Sequence, residues 1–383
     1  MRISRIAKVA SMALALAIVA STPAFATDLL GSGASWPANM IEACKAGYAT
    51  SGSNNTYTYA SSSSGTGQAN SDKSTGDFWM TDSPYTATTR RTTLIHIPLV
   101  AGPIAILHNL PGSKTLQLSA NTIAGIFGGT ITMWNDPAIV ADNNKITKAV
   151  YYKKDAAGNP AKDAKGNLIV LKTVEVAPHY TLPNKKITVV YRNDSSGTVD
   201  NFTKYLYKSA PTVWTKPNGK VFTTSFPGDI NDPANIGRIV GQGSSTGVSQ
   251  LAGKTPYSVT FAEVSYATAN KLKIANVINP AGSSVVPDST GTAAFLASAT
   301  QDVNGFLTYD YATKEAGAYP LGIVSYMLAD TAYTDKTKAA GVKDVATYIL
   351  SSKCSGDKGA ALGFSVIDGA LKAKSLALIA KIG

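Results

Sequence analysis

Short apolar runs alternate with segments of helical spacing along most of this chain, the order expected of an α/β protein. Strands are predicted at 55-NTYTYAS-61, 94-LIHIPLVAGPIAILHN-109, 187-ITVVYR-192, 257-YSVTFAEV-264 and 321-LGIVSYML-328. The second of these is two short runs broken at Gly102-Pro103. Helices are predicted over Pro37 to Tyr48, 121-NTIAGIFG-128, Val199 to Ser209, Val342 to Leu350 and Ala370 to Ile382. Tyr151 to Val174 breaks the alternation. Its lysines and the turn signals Gly158-Asn159-Pro160 and Gly166-Asn167 predict an exposed β-hairpin, a solvated insertion rather than a ligand contact.

The first 26 residues follow a different rule. Arg2, Arg5 and Lys8 precede the apolar centre Met12 to Val19, and Ala24-Phe25-Ala26 ends on small residues, as in a cleaved secretory leader. No cysteine stands directly after that point, so no lipid anchor is expected there. No other apolar run approaches the roughly 20 residues that span a bilayer. A soluble protein starting near Thr27, periplasmic or secreted, is predicted. Its remaining 383 − 26 = 357 residues suit two domains.

Composition adds less. Removing the three basic leader residues lowers the formal charge from +11 to +8, a bias that suits an anionic ligand. The lysines and arginines are spread thinly, without the aromatic-interleaved stripe of nucleic-acid binders, so no nucleic-acid partner is expected. His96, His108 and His179 do not cluster with one another or with cysteine, and no metal site or cofactor is predicted. Cys44 and Cys354 are the only cysteines. One disulfide is the reading for an oxidising compartment; two separate buried thiols is the other.

The candidate chemistry lies in loops. In 191-YRNDSSGTVDNF-202 a strand enters a glycine-containing turn ahead of a helix, leaving backbone N–H groups and the helix dipole to face an anion. Ser196 and Thr198 add hydroxyls, Gly197 permits close approach, and the Arg192 guanidinium matches two oxygens of one anion, with Asp194 able to brace it. An ordinary N-cap is the bland alternative for this stretch. Three more stretches share the pattern: 31-GSGASWPANM-40, 59-YASSSSGTGQ-68 and 75-TGDFWMTDSPY-85. Together they offer many neutral donors, one cation and one carboxylate, Asp82. An acid among anion ligands makes sense where the ligand brings a proton: a protonated phosphate can donate to it, and sulfate cannot.

These residues resemble a known family. 31-GSGASWP-37 is similar to the GAGATFP opening of periplasmic phosphate-binding proteins of ABC-type phosphate importers, and 98-PLVAGPIAILHNLPG-112, 120-ANTIAGIFGGTITMWNDPAI-139 and 188-TVVYRNDSSGT-198 resemble further family segments in the same order. The resemblance implies a two-lobed periplasmic-binding-protein fold of type II with two crossover strands as a hinge. Lobe one would span residues 27–107 and 322–383, lobe two residues 108–321 with the hairpin insertion, and Cys44 and Cys354 would share a lobe. Phosphate contacts would fall on Ser35, the backbone of Trp36, Ser64, Asp82, Arg192, Ser196, Gly197 and Thr198, with Asp194 holding Arg192. Ser195 stands where the family has glycine, which would strain the turn if positive φ were needed there. The implied role is delivery of inorganic phosphate to a membrane permease by a monomeric receptor, not an enzyme. The alternatives are a transporter-independent phosphate scavenger, sensor or adhesin, and, less favoured, a phosphatase or serine hydrolase using Ser195 or Ser196.

Overall fold

A computed structural model describes residues 27–52, 55–112, 114–156, 160–164 and 168–383. The expected leader, residues 1–26, lies outside the described residues, as do Gly158-Asn159 and Gly166-Asn167 of the hairpin turns.

Two mixed sheets carry the chain. The first runs in the order Thr56–Ser62, Asp28–Ala34, Phe78–Thr81, Gly322–Asp330, Leu94–Pro103. Its first three strands are parallel, and Gly322–Asp330 is antiparallel to both its neighbours. The second sheet orders Ile239–Gln242, Thr188–Arg192, Ser258–Ala262, Ala105–His108, Lys273–Ile278 and Ser284–Val285, with Gln117–Ser119 beside Lys273–Ile278. Again three consecutive strands, Ile239–Gln242, Thr188–Arg192 and Ser258–Ala262, are parallel. Gly322–Asp330 is buried at every residue, and Leu94–Pro103 at all but Ile95, which explains their near-continuous apolar sequence: helices cover the sheet on both faces. One of these, Gly369–Ile379, is tied to Leu94–Pro103 by Ser375 Oγ donating to Pro98 O at 2.6 Å.

The chain passes between the sheets twice, side by side. Leu94–Pro103 belongs to the first sheet and Ala105–His108 to the second, so the crossing falls at Ile104, ahead of the expected division after Leu107. The break also lies just after Gly102-Pro103 rather than within it. The return crossing enters the strand Gly322–Asp330, and Ile104 N donates to Leu321 O at 2.8 Å, bonding the two crossings together. Trp36 and Phe364 pack edge to face at 5.2 Å against this junction, where Gly102 leaves no room for a side chain.

The cysteine question is resolved as a Cys44–Cys354 disulfide, Cα–Cα 5.3 Å, tying the helix Ala38–Ala49 to the wide helical turn Ser352–Gly359. The predicted hairpin is present as Thr147–Tyr152 paired with Val170–Val176, beginning a few residues before the expected Tyr151. The helix expected to follow 59-YASSSSGTGQ-68 starts within that stretch, at Ser64, and the helix Ser244–Lys254, of weak apolar periodicity, escaped prediction.

Candidate anion-binding site

The carboxyl ends of the two parallel blocks face each other. In the first block the chain leaves Asp28–Ala34 at Ser35, Thr56–Ser62 at Ser63-Ser64 and Phe78–Thr81 at Asp82; in the second, Thr188–Arg192 ends on Arg192, Ile239–Gln242 leads to Ser245 and Ser258–Ala262 to Glu263. Open α/β sheets gather ligand loops at this edge because each strand hands over to a helix whose first N–H groups lack intrahelical partners.

Local sequence shapes each turn. Gly33, at φ 129°, lies so close to the neighbouring strand that a Cβ would meet Met80 O at 2.3 Å, so glycine is required before Ser35. Ser63 caps the helix Ser64–Asp72 by accepting from Thr66 N, which leaves Ser64 Oγ to accept from Asp82 N at 3.0 Å. Ser196 caps the helix Gly197–Ser209, its Oγ accepting from Val199 N at 3.3 Å. The capping role considered for this loop therefore holds at that atom. A side chain at Gly197 would place Cβ 2.7 Å from Ser64 Oγ and 2.8 Å from Ser83 N, so the two blocks meet here backbone to hydroxyl. Ser195 is not among the positive-φ residues, and the strain considered for its turn does not arise.

All the expected residues converge on one enclosed region. Arg192 is 1% exposed and Asp82 2%. Arg192 donates from Nε to Asp194 Oδ1 at 2.6 Å and from Nη2 to Oδ2 at 2.5 Å, a two-pronged brace that leaves Nη1 to donate to Ser245 Oγ at 3.2 Å. Asp82 accepts from Thr198 Oγ1 and Ser325 Oγ, both at 2.8 Å, and its backbone carbonyl accepts from Asn201 Nδ2 at 2.6 Å. Burial raises the Asp82 carboxyl to about 6, while the Ser325 and Thr198 hydroxyls and the Arg192 charge pull the other way. It is therefore a carboxylate, and an acceptor, at neutral pH. Trp36 contributes bulk as well as backbone: its indole Nε1 donates to Pro103 O at 3.3 Å, connecting this loop to the crossing.

Five participants were not legible as ligand neighbours in the sequence. Ser245 N donates to Ser35 Oγ at 2.9 Å, and the two hydroxyls lie 3.1 Å apart. Ser244 holds the left-handed φ of 60° that turns this segment toward Ser35. Tyr266 Oη donates to Ser35 O at 3.0 Å. Ser325 sits in the apolar strand 321-LGIVSYML-328, where one buried hydroxyl was the only signal. Glu263 is fully buried, accepts from Ser265 N at 2.6 Å and from Ser265 Oγ, and is pushed up to about 8 by that burial. The overlooked signal for Ser245 was 241-GQGSSTG-247, the same glycine–serine turn before a helix as in the other loops.

The histidines lie in other settings. His96 Nε2 accepts from Tyr85 N at 2.9 Å and His108 Nδ1 from Leu110 N at 3.3 Å; burial lowers both to about 3, so they are neutral. His179 is exposed.

The profile of the PBP superfamily domain matches residues 19–353. Phosphate-binding protein PstS 3 of Mycobacterium tuberculosis is 32% identical over 303 residues, covering 75% of this chain and 69% of its own. This chain belongs to the PBP superfamily, in the family of PstS-type phosphate-binding proteins. A more distant member, phosphate-binding protein PstS of Methanocaldococcus jannaschii, is 29% identical over 339 residues, with 84% and 77% of the two chains covered. Solved structures share the fold. A high-affinity periplasmic phosphate-binding protein bound with phosphate superposes with a TM-score of 0.64 at 21% identity over 91% of this chain and 93% of that one. A phosphate-binding protein from Stenotrophomonas maltophilia gives 0.62 at 19% identity, with the same coverage. In this PstS-type chain the superfamily's two-domain α/β architecture accounts for the pair of sheets and the twin crossings.

Proposed function

We propose that this protein is an extracytoplasmic receptor that binds inorganic phosphate between its two lobes and delivers it to the membrane permease of an ABC-type importer. Membership of the PstS-type family supports the class. The observation that carries the ligand is the enclosure of one carboxylate, Asp82, among hydroxyl and amide donors close to the buried Arg192.

In this reading Ser35, the Trp36 backbone, Ser64, Arg192 and the amides of Gly197 and Thr198 donate to the anion, and Asp82 accepts the proton that HPO4²⁻ or H2PO4⁻ carries. Ser196 serves through its backbone and as the helix cap. Asp194 fixes the plane of the guanidinium so that its remaining N–H groups point one way. The lobes, residues 27–103 with 322–383 on one side and 105–321 on the other, close about the paired crossings. Closure is secured by bonds between the lobes: Ser245 to Ser35, Thr198 to Asp82, Asn39 Nδ2 to Ser265 Oγ at 2.6 Å and Gly65 N to Ser195 O at 2.8 Å. Binding rather than turnover is the job, since the site pairs its serines with amides and arginine and no imidazole adjoins Ser195 or Ser196 among the described residues. A monomer suffices, because both halves of the site come from one chain.

Isothermal titration with phosphate, sulfate and arsenate tests this directly. Tight phosphate binding with sulfate rejected is the expected result; a protein that ignores phosphate at millimolar concentration would overturn it.

A further inference from the structure

The hairpin Thr147–Tyr152/Val170–Val176 contributes nothing to the cleft, yet its surface is unusual. Exposed large apolar side chains in a soluble domain are normally scattered. Here they are concentrated: Ile146, Tyr151, Val170, Leu171 and Val174 all lie on this one excursion, and of these Tyr151 and Leu171 line, with Val286, a groove between the hairpin and the loop before the helix Ser289–Leu296. Leu171 is 58% exposed and Val170 51%. The strand Val170–Val176 pairs with Thr147–Tyr152 alone, so its other side has no neighbouring strand among the described residues.

Charge selects the occupant. Residues 145–176 contain seven lysines against three acids, a net of +4, and Glu175 stands opposite Lys148 in the ladder. Lys148, Lys153, Lys154 and Lys172 are exposed around the apolar residues, and Lys172 Nζ stands 5.1 Å above the Tyr151 ring. A second copy of the chain would bring like charge against like. A dissolved polyanion would satisfy the lysines and leave Leu171, Val170 and Val174 in water. An anionic bilayer meets both demands, because lysine heads reach the phosphates while valine, leucine and tyrosine enter the interface.

We propose that this hairpin is a peripheral membrane-docking element that holds the protein reversibly on a surface of anionic lipid, beside the cleft's work and independent of it. No helix among the described residues is long and apolar enough to cross a membrane, so the association is interfacial.

The test is co-flotation of the purified protein with vesicles of phosphatidylglycerol or of phosphatidylcholine. Binding is expected to phosphatidylglycerol only and to fall at least about tenfold when salt is raised to roughly 0.5 M. The double variant Leu171→Asn with Val174→Asn, and separately Lys153→Ala with Lys154→Ala, should each weaken flotation about tenfold. Both should retain wild-type phosphate titration and melting temperature, which shows that they fold. No flotation with phosphatidylglycerol overturns the proposal. So does flotation that the Leu171/Val174 variant leaves unchanged, or retention on heparin that the same variant leaves unchanged while flotation is absent, which would mark a polyanion or acidic protein site instead.

Discussion

Thr198 donates to Asp82 across the cleft, Oγ1 to Oδ2 at 2.8 Å, so the acid and the helix start proposed to cradle the anion are fixed by one bond. With Ser325 on its other oxygen, Asp82 is held in one orientation. Asp82→Asn replaces an acceptor with a group that can also donate. Sulfate affinity should rise by at least about tenfold while phosphate affinity falls, because the repulsive contact with an unprotonated oxygen is removed. Competition calorimetry at pH 7.5 checks this; unchanged rejection of sulfate would falsify the proton-reading role.

Ser245 joins the two lobes at the opposite side of the site. Its amide and hydroxyl engage Ser35, and its oxygen receives Arg192 Nη1. Ser245 Oγ accepts from both Ser35 Oγ and Arg192 Nη1, so it holds the hydroxyl and the guanidinium in place together. Ser245→Ala should weaken phosphate binding about three- to tenfold, the worth of a neutral hydrogen bond, while Ser245→Thr keeps it. Titration of the two variants side by side gives the answer, with equal affinities counting against a positioning role.

Stability should depend on pH through the two buried acids. Asp82 rises from 3.8 to about 6 and Glu263 from 4.5 to about 8, both because burial disfavours the charged form. Between the unfolded and folded values the folded state holds more protons than the unfolded one, so stability falls as pH rises. The decline runs from about pH 4 through pH 6 for Asp82 and continues to about pH 8 for Glu263. Melting temperature of the ligand-free protein should therefore drop from pH 5 to pH 8, and Glu263→Gln should flatten the upper part of that slope. A variant whose profile overlays the wild type would remove Glu263 from the account.

The Cys44–Cys354 bridge joins elements 310 positions apart in sequence, with the whole second sheet lying in the loop it closes. Reduction should cost about 2–5 kcal/mol and lower the melting temperature by about 3–7 °C. Phosphate affinity should change little, since neither cysteine adjoins the cleft loops. Calorimetric scans with and without reductant, followed by phosphate titration of the reduced form, separate the two effects.

Local pattern carried far for some elements and not for others. Thr188–Arg192 and Gly197–Ser209 were readable because an apolar run, a polar turn and a strongly amphipathic helix follow one another without a break. The helix Ser244–Lys254 was not, because serine and glycine fill its first turn and its apolar side is narrow. The loop that carries Ser245 was missed with it. The strand Asp28–Ala34 was likewise hidden: its glycines and serine are poor strand formers, and it is held by parallel partners on both sides rather than by propensity.

What the amino-acid order determined by itself was chemical and local: the alternating elements, the expected leader, and four loops whose hydroxyls, glycines, Arg192 and Asp82 could serve an oxyanion. Such features depend on neighbours a few positions apart. What only the tertiary structure decided was which loops share a space and what each atom is left free to do. It places Ser325 on Asp82, 243 positions away, and Ser245 on Ser35, 210 away. It joins Cys44 to Cys354 and lifts Asp82 and Glu263 by burial. Distance along the chain carries no record of those pairings, because strand order and the twin crossings, rather than local propensity, bring the two carboxyl edges together.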